Sequence, residues 1–92
     1  MTVQSELQEL AHKAEAYLQE AEKAGNPATR KQLLLKRSNA MQDASDFVAQ
    51  TAEELRIKAS MLRDEDYFHR EPTVGVASLI RSLLHDLREW KG

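Results

Sequence analysis

Three histidines, His12, His69 and His85, are the side chains in this sequence best suited to metal binding or proton transfer. Glu65 with His69, and His85 with Glu89, stand four residues apart, so on a helix each pair would present two donors on one face. Two donors fall short of the three or four that a zinc site requires, and in a chain with 30% charged residues such pairs arise by chance. Nucleophilic chemistry on serine needs a hydroxyl beside a base and an oxyanion cradle. Ser5, Ser38, Ser45, Ser60, Ser78 and Ser82 instead fall in stretches of helical periodicity, and none sits on a sharp turn. Gly25, Gly75 and Gly92 are too scattered for a phosphate-binding loop. With no cysteine, disulfides and thiolate metal sites are excluded. The residue types therefore point away from an enzyme, and neither metal nor cofactor is expected.

One cluster could attract anions. Arg30, Lys31, Lys36 and Arg37 follow a helix start, where phosphate groups are favourably bound. No aromatics interleave with them, and Asp43 and Asp46 follow closely, so a salt-bridged surface is the plainer reading. A nucleic-acid-associated protein using this basic face is the alternative function.

The elements that would carry these residues are helices. From Val3 to Ala24 the apolar residues Val3, Leu7, Leu10, Ala14, Tyr17, Ala21 and Ala24 alternate steps of four and three, the signature of an amphipathic helix over about residues 3–24. Thr2 or Ser5 can cap its start, and Gly25 ends it. Asn26-Pro27 then restarts the chain, with Asn as cap and Pro in the first turn. Leu34, Met41, Val48, Leu55 and Leu62 recur at an unbroken spacing of seven, which predicts one helix over 27–63, possible as far as 70. At ~1.5 Å per residue it would be on the order of 54 Å long. Leu33, Ala40, Phe47 and Met61 form a second row, interrupted by Glu54, while Leu35 and Ile57 lie off the main stripe. The segment 64–71 loses the period, and Pro72 forbids a smooth continuation. Val76, Leu79, Ile80, Leu83, Leu84, Leu87 and Trp90 define a last amphipathic helix over about 74–91, with Thr73 as cap.

The expected architecture is all-α, in one domain spanning 1–92: an antiparallel helical hairpin with a long central helix, plus a third, C-terminal helix. Opposite charges at Glu20, Glu22, Arg30 and Lys31 would meet across the hairpin turn. Both outer helices would run antiparallel to the central one, either as a three-helix bundle or as half of a dimeric bundle. Two heptad rows on one helix ask for two neighbours, which favours a homodimer. At the level of layout the chain resembles small helical proteins such as secretion-system chaperones and secreted hairpins with a Trp-x-Gly turn, but the turn here is Ala24-Gly25-Asn26-Pro27.

A chain of 92 residues with five aromatics and twelve alanines has a thin core, so association would add burial. The net charge of −2, with both signs interspersed, disfavours a general nucleic-acid or membrane-surface binder. No leader or membrane-spanning stretch is recognisable, and the missing cysteines fit a reducing cytosol, so a cytoplasmic location is expected. The functional expectation is a helical adaptor, chaperone or inhibitor, for instance a bacterial or phage accessory protein, that binds a protein partner by packing helix faces. Leu33, Phe47, Met61, Tyr67, Phe68, Leu84 and Trp90 are the candidate partner-binding or dimer-seam residues.

Overall fold

The computed structural model describes residues 2–63, 66 and 71–90. Among them are four helices, α1 (Val3–Lys23), α2 (Pro27–Ser45), α3 (Ala52–Ser60) and α4 (Val74–Arg88), and no strand. Three of the helix starts follow the sequence cues. Thr2 Oγ1 accepts the Ser5 amide, Asn26 Oδ1 accepts the Ala28 amide with Pro27 in the first turn, and Thr73 Oγ1 accepts the Val76 amide. The end of α1 does not use a left-handed glycine, because Ala24 is already extended and Gly25 has no positive φ.

The single helix expected over 27–63 is divided in two. It stops at Ser45 and restarts at Ala52, and the longest extent of the molecule is 45 Å, shorter than that helix alone would have been. The restart has its own cap. Thr51 Oγ1 accepts the Glu54 amide, and Glu54 Oε1 reaches back to the Gln50 amide. Asp43 and Asp46 stand at the negative end of α2, where the helix dipole disfavours carboxylates, so charge does not account for the stop. The heptad row breaks with the helix. Val48, expected in the stripe, is 54% exposed, whereas Ile57, expected off it, is buried.

Helix directions follow from paired contacts. Arg30 meets the carbonyls of Ala21 and Ala24, and Lys36 lies over the Tyr17 ring, so α1 and α2 run antiparallel. After α2 the chain turns back, bringing Lys58 to the Phe47 carbonyl and the Met61 carbonyl to Arg37. Helix α4 differs from expectation. The Gly75 amide donates to Ser38 Oγ and the Ser82 hydroxyl to the Ser45 carbonyl, both 37 residues apart, so α4 runs parallel to α2. Each helix packs mainly on two others: α1 on α2 and α3, and α4 on α2 and α3.

The core at their centre contains Leu7, Ala14, Met41, Ala44, Met61, Val76, Leu79 and Leu83. Alanines let the backbones approach, and Gly75 carries this furthest. A Cβ at Gly75 would lie 2.1 Å from the Ser38 carbonyl oxygen, so only glycine permits this crossing of α4 on α2. Because α4 begins opposite Ser38, the first turns of α2 and the end of α1 extend beyond it as a hairpin tip.

Candidate functional site

The chemistry-bearing residues are either at the surface or tied into the fold. His12 and His85 are exposed, and no group of three metal-capable side chains occurs among the described residues. His69, with the Glu65–His69 pair, lies outside the described residues. Ser45 and Ser60 donate to the carbonyls of Gln42 and Ile57 in their own helices.

One serine does meet a lysine. Lys58 is fully buried, and its Nζ donates to the Phe47 carbonyl at 2.7 Å, to Ser82 Oγ at 2.6 Å and to Asp86 Oδ2, with which it forms an ion pair. These partners use all three donors of an ammonium group. The Ser82 hydroxyl accepts from the lysine and donates its own hydrogen bond to the Ser45 carbonyl. The arrangement ties the C-terminal end of α2 to α3 and α4, where free carbonyls and the helix dipole both attract a cation. Asp86 Oδ1 is buried without a hydrogen-bond partner among the described residues.

The basic cluster separates into different tasks. Arg37 is buried, paired to Asp66 at 2.9 Å and donating to the Met61 carbonyl at the end of α3. That correction removes it from the exposed anion-binding face. Arg30 donates to the Ala21 and Ala24 carbonyls at the end of α1. Lys36 sits 5.9 Å from the centroid of the Tyr17 ring. Of the four, Lys31 alone has no hydrogen bond, ion pair or ring contact among the described residues, where the ion pairs are Arg37–Asp66, Arg56–Glu53, Lys58–Asp86 and Arg63–Glu15. The pairing expected of Glu20 and Glu22 with Arg30 and Lys31 is not among them. Thus carbonyls at or just past the ends of α1, α2 and α3 are each met by a cation from another helix, the exposed Arg30 and the buried Lys58 and Arg37.

The candidate interface residues also divide. Met61 is in the core, and Leu33, Phe47 and Trp90 are half-buried. Tyr67 and Phe68 lie outside the described residues. Leu84 is 49% exposed, and so is Leu87, at 55%, although the periodicity placed both within the apolar stripe of α4. With half-buried Ile80 they occupy positions i, i+4 and i+7, a continuous apolar edge along the helix. The stripe of α4 is wider than the face that α2 and α3 cover.

A second apolar surface lies at the hairpin tip. Ala24, Pro27, Leu34 and Leu35 line a groove of about 410 Å³ with Arg30 and Lys31 at its rim, and Thr73 closes it from the start of α4. Sequence periodicity did not single it out, since Leu35 read as an isolated off-stripe aliphatic. The available signal was the absence of any acidic residue from Pro27 to Gln42, beside four cations.

The chain matches no family model, no curated protein and no solved structure. The geometry alone therefore bears on what it does. Among the described residues no helix is long and apolar enough to cross a membrane.

Proposed function

We propose that this protein is a non-enzymatic interaction module, a small helical adaptor, chaperone or inhibitor that works by packing helix faces, and that it associates with a second copy of itself along α4. The observation that carries this reading is the Ile80–Leu84–Leu87 edge, an apolar strip left open beside a buried stripe on the same helix. A two-fold axis across α4 would set this edge against itself, covering on both copies the same residues that the fold leaves open. Full burial of an aliphatic side chain contributes about 1.5–3 kcal/mol, so the roughly half of Leu84 and Leu87 that is still exposed would contribute about half of that on each copy.

The experiment is light scattering behind size exclusion across a range of concentrations. The chain of 10.5 kDa should run at twice that mass, and Leu84→Asp with Leu87→Asp should return it to the monomer while circular dichroism keeps its helical signal. A monomer at every concentration would overturn the dimer. The nucleic-acid reading draws less support, because Arg37 is buried against Asp66 and Lys36 lies on the Tyr17 ring. Steep salt dependence of binding to an oligonucleotide would be its signature.

A further inference from the structure

We propose that the groove at the hairpin tip docks an acidic, aliphatic segment of another protein, most simply one face of an amphipathic helix carrying Leu and Glu. The groove begins some three helical turns before Leu84 on α4, so the proposal stands apart from the dimer edge.

Two features of its lining define the occupant. The floor, made by Ala24, Pro27, Leu34 and Leu35, is apolar, and Leu35 remains 52% exposed, so water sits on aliphatic surface that a partner's side chains would displace. The rim is cationic, and among the described residues no carboxylate lines the groove. The whole chain is net negative, yet the stretch from Pro27 to Gln42 holds four cations and no acid. Of these, Arg37 is buried against Asp66, and Arg30 and Lys31 stand at the groove, so charge complementarity there favours a carboxylate.

The two rim cations are suited to different roles. Arg30 is held in place by its bonds to the Ala21 and Ala24 carbonyls, so its guanidinium is preorganised at the groove edge. Lys31 is exposed and unpaired among the described residues, free to meet an incoming carboxylate. At about 410 Å³ the space suits a few side chains, not a folded surface. A nucleic acid fits less well, since among the described residues no aromatic lines the groove to stack a base and two cations reach it.

The test is a titration of the uniformly ¹⁵N-labelled protein with a capped synthetic helical peptide of Leu, Glu and Ala, and with its counterpart bearing Lys in place of every Glu. The acidic peptide should shift the amides of Gly25, Arg30, Lys31, Leu34 and Leu35 and leave those of Leu84 and Leu87 in place. The lysine peptide should not. Lys31→Glu and Leu35→Gln, both at exposed positions, should each weaken binding about tenfold, and added salt should weaken it in the parent protein. Equal shifts from both peptides, shifts confined to other residues, or no shifts at all would overturn the proposal. So would a single-stranded oligonucleotide producing the same shifts, since the groove would then be reading phosphate. The peptide arm needs no mutation, so its outcome stands whether or not a variant folds.

Discussion

Lys58 shows how much a single side chain can be asked to do in a small helical protein. Removing an ammonium from water costs several kcal/mol, and that cost is offset here only because the carboxylate of Asp86, a hydroxyl and a main-chain carbonyl together replace its hydration. Lys58→Met should destabilise the fold by about 3–5 kcal/mol, because Asp86 is left as a buried, uncompensated charge. Combining it with Asp86→Leu should recover most of the loss, and a double-mutant cycle by urea denaturation measures the difference. Additive losses would mean that the pair acts as two independent residues. Gly75 is the other decisive single position. Gly75→Ala should cost about 1–3 kcal/mol or more through overpacking against the Ser38 backbone. Gly25→Ala, where an added Cβ meets nothing within 4 Å, should change the same denaturation midpoint little.

The division between α2 and α3 is decided at the level of elements. Nothing from 46 to 51 is a proline or glycine, so propensity alone gives no reason to stop. The restart is nevertheless encoded in Thr51-Ala52-Glu53-Glu54, a capping sequence in which Thr51 accepts the Glu54 amide and Glu54 accepts the Gln50 amide. The carbonyls freed at the end of α2 are taken by Ser82 and Lys58 from other helices, so breaking the helix here leaves them satisfied. Thr51→Ala should cost about 1 kcal/mol, the usual worth of such a cap, read as a lowered melting temperature. Val48→Lys should leave that temperature nearly unchanged, since the side chain is exposed in the connection. A large loss at Val48 would mean that the unbroken heptad, with Val48 in its seam, describes the chain better.

For the whole molecule, the question is what covers the surfaces that the fold leaves open. The α4 edge is aliphatic, and the hairpin-tip groove is aliphatic with a cationic rim, so the two should respond differently to salt. Self-association through α4 should persist as ionic strength rises, because apolar burial is not screened, whereas docking of an acidic segment at the tip should weaken. Sedimentation velocity at low and high salt, with and without the acidic peptide, separates them. Loss of the dimer at high salt would show that charged contacts, not Leu84 and Leu87, hold the copies together.

The sequence by itself determined that the described chain is helical and where three of its helices start. These are local matters: Thr2, Asn26-Pro27 and Thr73 act within one turn, and the stripe of Leu7, Ala14 and Ala21 follows from 3.6 residues per turn. Arg30, Lys31, Lys36 and Arg37 were legible as a cluster, but not their separate tasks, because a guanidinium at Arg37 meets Asp66 only once α3 has folded back. The same holds for Lys58, whose partners lie 11, 24 and 28 residues away. A heptad count could not show that Val48 turns outward and Ile57 inward, since one loop shifts the phase of everything after it. Nor could it give the parallel course of α4, which rests on a glycine meeting a backbone 37 residues distant. Periodicity records which residues avoid water; which neighbour covers them depends on contacts between distant segments, and only the tertiary structure supplies those.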